Sequence, residues 1–318
     1  MKRFITLATC ALATTFAMAQ APAAAYPTKP VRIIVPFTAG SATDIMARIV
    51  GERLGTKWGQ PVVVENRPGA GGTLGAAQVA KSEPDGYTLI VVSTGHVVNP
   101  VLYQNLPYDT LADFAGVIPL ATLPNMLVVG EGSPYKTVSE LLAGARAKPG
   151  QLNYASAGTG SATHINAEKF RAVTGINVQH VPYKGTPETI VETIAGRVDF
   201  MFTPMLSSLQ QVKEGKMRAL AVSGSRRSAT LPDVPTVAEA GVPGFVFDFW
   251  AGLLAPAKTP RPVIDKLNAD VRDVLAQPDV KERMAKLGAE SMSMSAQQFD
   301  TYIKDEYNTL GAVMKGAR

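Results

Sequence analysis

Short runs of β-branched and aliphatic residues alternate along the chain with longer stretches in which apolar residues recur every three or four positions. The first such pair is a strand at 31–35, ended by Pro36, and a helix at 42–54 with one apolar stripe. Strands that alternate with helices predict an α/β fold with mostly parallel sheets. The same pattern predicts further strands at 62–65, 87–92, 152–155, 178–181, 200–202, 219–222 and near 253–254, and further helices at 71–81, 139–147, 161–174, from 186, and at 261–276, 278–287 and 296–314.

Two comparable series of strand–helix units are followed by a further strand and three helices at the C-terminus. This order predicts two lobes joined by more than one crossover. The candidate boundaries are residues 123–125 and 245–250, where the pattern is interrupted. We therefore expect lobe 1 to contain residues 26–124 and 248–318, and lobe 2 to contain residues 125–247.

Residues 1–25 have the composition of a secretory signal peptide. Lys2 and Arg3 form a short positive head, an apolar stretch follows at 4–18, and Ala17-Met18-Ala19 offers small residues for cleavage. Cleavage near Ala19 to Ala25 would leave an exported, periplasmic protein. It would also remove the single cysteine, Cys10, and with it any disulfide, thiolate metal site or cysteine nucleophile.

Composition and charge exclude several classes of protein. Of the 318 residues, 46% are hydrophobic and 18% charged, which is enough apolar material for a large core. No basic run is longer than Arg226-Arg227, so we expect no nucleic-acid partner. Gly-x-Ser-x-Gly, His-Glu-x-x-His and phosphate-loop motifs are missing from the sequence, and its three histidines lack metal-ligand spacing. These features predict a protein that is not an enzyme and uses no metal or cofactor.

Glycine and small hydroxyl residues concentrate where three predicted strands lead into helices, at 37–44, 69–73 and 156–161. Such loops leave backbone N–H groups exposed, and the helix dipole adds partial positive charge, so each loop can hold an anionic oxygen. Loops at the carboxyl ends of strands are where open α/β sheets bind ligands. The alternative is that each loop is only a tight turn, with Ser41 and Asp44 forming a capping box.

Several polar residues near these loops are candidates for ligand contact. His164 lies in the first predicted turn after Ser161 and could donate to a ligand oxygen, or it could be a satisfied surface residue. Tyr183 and Lys184 end a predicted strand, and a solvated loop is an equally good interpretation there. Thr94 and Gly95, which follow the third strand, complete the candidate set.

The order and spacing of several short stretches resemble the Bug family, the extracytoplasmic solute receptors of tripartite tricarboxylate transporters. The stretches are Tyr26-Pro27-x-Lys29-Pro30-Val31-Arg32, Val35-Pro36-Phe37-x-Ala39-Gly40-x-x-x-Asp44, Val64-Glu65-Asn66-Arg67-Pro68-Gly69-Ala70-Gly71-Gly72, Pro84-Asp85-Gly86-Tyr87-Thr88-Leu89, Ser156-x-Gly158-x-Gly160-Ser161-x-x-His164, Val181-Pro182-Tyr183-Lys184-Gly185 and Leu231-Pro232-Asp233-Val234-Pro235-Thr236.

The resemblance implies a two-lobed type II periplasmic binding protein, a Venus flytrap, with a small carboxylate held between the lobes. It assigns ligand contacts to Phe37, Ala39, Gly40, Ser41 and Asp44 in lobe 1 and to Ser156, Gly158, Gly160, Ser161 and His164 in lobe 2. The family usually has Gly-Gly at 40–41, whereas this chain has Gly40-Ser41.

We therefore expect a monomeric periplasmic solute-binding protein that delivers a carboxylate to the membrane subunits of a tripartite tricarboxylate-type transporter. One alternative is a ligand-sensing subunit that signals to a membrane sensor kinase, because both roles need the same closing cleft. A weaker alternative is an enzyme that uses the glycine loops to bind phosphate or a nucleotide.

Overall fold

The structure, a computed structural model, describes residues 26–316, with side chains described up to residue 311. The predicted signal peptide lies outside the described residues. In chain order, the elements are β1 (Val31–Val35), α1 (Ala42–Trp58), β2 (Val62–Asn66), a 3-10 turn (Ala70–Gly72), α2 (Thr73–Ala80), β3 (Thr88–Ser93), α3 (Gly95–Leu102), β4 (Phe114–Gly130), α4 (Val138–Ala147), β5 (Asn153–Ser156), α5 (Ala162–Thr174), β6 (Gln179–Pro182), α6 (Thr186–Ile194), β7 (Phe200–Pro204), α7 (Met205–Lys213), β8 (Met217–Val222), β9 (Asp248–Pro256), α8 (Arg261–Ala276), α9 (Pro278–Lys286), β10 (Glu290–Ser291) and α10 (Ala296–Gly316).

The strands lie in the order β2-β1-β3-β9-β4-β7-β5-β6, and β8 and β10 also pair with β4. At one end β1 runs parallel to β2 and β3, and at the other β5 runs parallel to β6 and β7. The pairs that involve β4 and β9 are antiparallel. The α/β, two-lobed fold class is confirmed, but the sheets are mixed, because two long strands run back through the middle of the molecule.

The long strand β4 contains the change of sheet. Pro124 pairs with Asp248 of β9, whereas the next residue, Asn125, pairs with Pro204 of β7. This is the observation on which we propose the division into lobe 1 (26–124 and 248–318) and lobe 2 (125–247).

The first half of β4 was not predicted from the sequence. Prolines and glycines normally interrupt strands. Here register shifts occur on both sides of Ile118 and Pro119, so that this half of β4 pairs with β9 in spite of Gly116 and Pro119.

The helices pack their apolar stripes on the sheets as the pattern predicts. Met46, Ile49, Val50 and Leu54 of α1 are buried in the core. Helices α3 and α7 were missed: α3 contains Pro100, and α7 follows Pro204 without a loop. No helix within residues 26–316 is long and apolar enough to span a bilayer.

Candidate functional site

The first helix of each lobe after its glycine loop begins in the same way. The sequence Gly-Ser-Ala-Thr occurs at both starts, at residues 40–43 for α1 and at residues 160–163 for α5. The two glycines have φ of +84° and +82°. The two serines, which occupy the N-cap positions, have φ of −68° and −69° and the same ψ of 158°. The lobes therefore present two helix N-termini with matching backbone geometry.

In lobe 1, Asp44 stabilises the loop. Its carboxylate accepts hydrogen bonds from the Gly40 amide at 2.9 Å, the Asn66 side-chain amide at 2.9 Å and the Arg48 guanidinium at 3.0 Å. Burial alone would raise the pKa of Asp44, but the hydrogen bonds from Arg48, Gly40 and Asn66 lower it below its usual range. The carboxylate thus makes its hydrogen bonds within lobe 1, and Asp44 does not line the cavity between the two helix starts.

In lobe 2, His164 has the position that Asp44 has in lobe 1. Its Nδ1 atom accepts a hydrogen bond from the Gly160 amide at 3.2 Å, which requires a neutral ring. Burial lowers the pKa of His164 and therefore favours that neutral form. Beneath it, Ser156 Oγ accepts from the Gly158 amide at 3.1 Å and lies 2.6 Å from His180 Nε2. His164 and Ser156 therefore hold the 156–161 loop in place by accepting hydrogen bonds from its amides.

The two N-cap serines make different contacts. Ser161 accepts from the His164 amide at 3.3 Å and caps its own helix. Ser41 does not cap α1; its hydroxyl accepts from the Thr186 amide, at the start of α6 in the other lobe, at 3.3 Å. The capping-box interpretation of Ser41 and Asp44 is therefore wrong, because Ser41 reaches across the cleft. Thr186 is the first helical residue of α6 and follows the N-cap residue Gly185.

The two helix starts face each other across a small cavity of ≈ 20 Å³, which we call the first chamber. It is lined by Phe37, Ser41, Ala42, Thr43, Ser93, Ala157, Ser161, Ala162, Thr163, Thr186, Pro204 and Phe249. The first amides of α1 and α5 have no acceptor within their own helices, and both helix dipoles place positive charge there. Of the residues that the structure describes, no lysine or arginine lines this chamber.

The third glycine loop, at 69–73, brings the lobes together. A β-carbon on Gly71 would overlap the Thr159 carbonyl oxygen of lobe 2, and one on Gly95 would overlap the Gly160 carbonyl oxygen. The Tyr103 hydroxyl donates to the Thr159 carbonyl at 2.7 Å. Glycine at these positions lets the two backbones approach, so the structure is that of closed lobes.

The remaining candidate residues lie around the first chamber without lining it. Ala39 and Gly40 are exposed, and a β-carbon on Gly40 would lie 3.3 Å from Pro187. The Thr94 hydroxyl accepts from the Trp250 amide at 3.0 Å. The Tyr183 side chain lies near Glu192 and Arg197, and partial burial raises its pKa.

The model of the tripartite tricarboxylate transporter family receptor matches residues 46–317. The chain belongs to this family of receptors. It is therefore a solute-binding receptor of the Bug type, and the resemblance seen in the sequence is confirmed.

Similar proteins cover nearly the whole receptor. Protein BugT of Bordetella pertussis is 35% identical over 317 residues, which are 99% of this chain and 97% of that protein. An R. palustris structure with adipate has a TM-score of 0.89 and 35% identity, covering 92% of this chain and 98% of that chain. MatC from Rhodopseudomonas palustris with bound malate has a TM-score of 0.87 and 34% identity, covering 91% of this chain and 99% of that chain.

Sequence reasoning missed several residues that line the cleft. Thr43 could have been found, because its Gly-Ser-Ala-Thr segment recurs in lobe 2. Ser93, Thr186 and Phe249 carry no local signal and reach the cleft only through the fold. His96, which was noted only for its lack of metal-ligand spacing, lines a second cavity next to the first.

Proposed function

We propose that this receptor binds a small carboxylate-bearing metabolite, with a carboxylate group in the first chamber, and delivers it to the membrane subunits of a tripartite tricarboxylate-type transporter. The observation that carries the proposal is the pair of Gly-Ser-Ala-Thr helix starts that face each other across the chamber. The amides of Ala42 and Thr43 from lobe 1 and of Ala162 and Thr163 from lobe 2 are the donors that we assign to the carboxylate.

Burying a carboxylate is costly unless each of its oxygens receives hydrogen bonds. Two helix N-termini supply amide donors and dipole charge at the same point, which is a recognised way to bind an anion. The buried Thr43 hydroxyl has no hydrogen-bond partner within the protein and is a further donor at this end of the cleft. Recognition by neutral dipoles needs no arginine clamp, in keeping with the uncharged lining.

The ligands of similar proteins support the carboxylate class. The two structures from Rhodopseudomonas, at 34–35% identity, contain adipate and malate, which are both dicarboxylates. We propose the class and not either compound, because side chains at the far end of the cleft decide between them. We also propose that the protein acts in the periplasm after its leader is removed, and that it releases its ligand chemically unchanged.

Closure of the lobes would complete the site. The Thr38 hydroxyl donates to the Glu188 carboxylate of α6 at 3.0 Å, and Ser41 accepts from Thr186 beside it. These contacts join the loop before α1 to the start of α6. A ligand that draws α1 and α5 together therefore also favours the contacts with α6.

A melting screen tests this function. The purified mature protein is heated with C4–C6 diacids, hydroxy acids, aromatic acids, acidic amino acids and nucleotides. A ligand at about 100 times its Kd stabilises the fold by about 2.7 kcal/mol, which gives a clear rise in melting temperature. A rise with at least one carboxylate, confirmed by calorimetry, is the expected result; a rise with nucleotides alone would contradict the proposal.

A further inference from the structure

A second cavity lies next to the first and contains polar atoms that the carboxylate site does not use. This second chamber has a volume of ≈ 10 Å³, room for about one water-sized group, and includes Phe37, Gly71, Gly72, Ser93, His96 and Asn99 in its lining. Phe37 and Ser93 also line the first chamber, so the two cavities share a wall. A ligand anchored in the first chamber can therefore extend one end toward the second.

Two buried atoms in the second chamber lack a partner. His96 Nε2 and Asn99 Oδ1 make no hydrogen bond in the structure, although the two side chains are only 5% and 1% exposed. Buried polar atoms are nearly always hydrogen-bonded, since an unpaired one costs about 1–3 kcal/mol. Both atoms belong to side chains that line the same cavity, so a water molecule or a ligand group of similar size fits between them.

The surroundings of His96 make its free nitrogen an acceptor. Burial lowers the pKa of His96 to about 4, so the ring is neutral at pH 7. The Thr110 backbone hydrogen-bonds to the ring, and with Nε2 unpartnered this bond comes from the protonated Nδ1. A neutral imidazole with its proton on Nδ1 presents a lone pair at Nε2.

Asn99 presents a second acceptor. The Asn99 side chain is buried, and its carbonyl oxygen, Oδ1, makes no hydrogen bond in the structure. This oxygen lies against Gly160 of lobe 2, where a β-carbon would overlap it. The second chamber thus offers acceptors and, among the described residues that line it, no cationic side chain.

We propose that the second chamber is a subsite for a hydroxyl group of the ligand, and that the receptor therefore selects hydroxycarboxylates over the same acids without the hydroxyl. A second carboxylate would meet two lone pairs and no positive charge. An ammonium would be buried without a counter-charge. A hydroxyl donates to one acceptor without adding charge. This inference rests on the proposed function, because it assumes that a carboxylate occupies the first chamber.

Calorimetry with matched acids tests the subsite. The probes are pairs that differ by one hydroxyl: 3-hydroxybutyrate and butyrate, 4-hydroxybutyrate and butyrate, 6-hydroxyhexanoate and hexanoate, and malate and succinate. For at least one pair, we expect the hydroxy acid to bind about tenfold more tightly or better, because a buried acceptor that loses its donor is left unpaired.

Substitutions at His96 and Asn99 test whether the hydroxyl is recognised in the second chamber. Asn99→Leu and His96→Phe should each reduce the preference for the hydroxy acid to about twofold or less. The affinity for the acid without the hydroxyl should stay the same. Asn166→Leu is the matched control, because Asn166 is also a buried asparagine without a hydrogen-bond partner and lines neither chamber. It should leave the preference unchanged.

The outcomes separate the two proposals. Carboxylate binding with equal affinity within every pair would overturn the subsite and leave the proposed function standing. A hydroxyl preference that survives both variants would also overturn the subsite, since the hydroxyl would then be recognised elsewhere. If no carboxylate binds at all, both proposals fail. The wild-type comparison needs no variant, so it decides the matter even if Asn99→Leu or His96→Phe fails to fold.

Discussion

The two helix starts that line the cleft share four residues and their backbone angles, yet they are supported differently. In lobe 2, Ser161 and His164 satisfy the amides of their own loop. In lobe 1, Asp44 holds the loop, but Ser41 bonds to α6 of the opposite lobe. We infer that the lobe 2 half of the site is complete within its lobe, whereas the lobe 1 half makes its full set of contacts only when the lobes close.

Removing one amide from each helix start should have the largest effect. Proline is tolerated at the first helical position, where it deletes the N–H without breaking the helix. We expect Ala42→Pro and Ala162→Pro each to weaken carboxylate binding by about 30- to 150-fold, because each loses a hydrogen bond to a charged group worth about 2–3 kcal/mol. Isothermal titration calorimetry measures the loss.

The matched control for these variants is Ala296→Pro. Ala296 is also a buried alanine at the first position of its helix, α10, and it lies outside the cleft lining. The affinity of the Ala296→Pro variant for the carboxylate should equal that of the wild type. Equal affinity in all four proteins would show that the helix starts do not hold the carboxylate.

Blocking the approach of the lobes should have the next largest effect. Gly71→Ala places a β-carbon against the Thr159 carbonyl, so we expect affinity to fall by about tenfold or more. Gly59→Ala is the control, because Gly59 has φ of +63°, close to the +61° of Gly71, but has nothing within 4 Å of the added carbon. Both variants should lose similar stability from backbone strain. A loss of affinity in Gly59→Ala as large as in Gly71→Ala would contradict this role.

The two serines should separate stability from affinity. Ser161→Ala removes an N-cap and should lower the free energy of unfolding of the unliganded protein by about 1 kcal/mol. Ser41→Ala should leave that free energy nearly unchanged and weaken ligand binding by about fivefold, because its bond to Thr186 joins the closed lobes. Denaturant unfolding and calorimetry measure the two quantities. If the two variants behaved alike, the inferred difference between the lobes would be wrong.

Lowering the pH should have the smallest of these effects, and it should act on the stability of the fold. Burial lowers the pKa of His164, and it lowers that of His180 to about 4, so between pH 6.5 and 4 the unfolded chain binds more protons than the folded one. Stability should therefore fall as the pH decreases through this window, by a few degrees of melting temperature at pH 5. His180→Gln should reduce this slope. A melting temperature that is constant from pH 7 to 5 would contradict the neutral state of these rings.

The sequence predicted the local parts of this molecule well. The helix at 261–276 and the Gly-Ser starts of α1 and α5 follow from periodicity and from residues with strong backbone preferences. The path of β4 did not, because Pro119 and Pro124 look like strand breaks and are accommodated only by pairing with a distant strand. Contacts such as Ser41 with Thr186 join residues far apart in the chain, and local pattern carries no information about them.

A crystal structure of the mature receptor with a carboxylate from the melting screen tests the central claim most directly. The account predicts carboxylate oxygens at hydrogen-bonding distance, about 2.7–3.1 Å, from amides of α1 and of α5. A carboxylate paired with an arginine or lysine, or bound outside the space between these two helix starts, would contradict it.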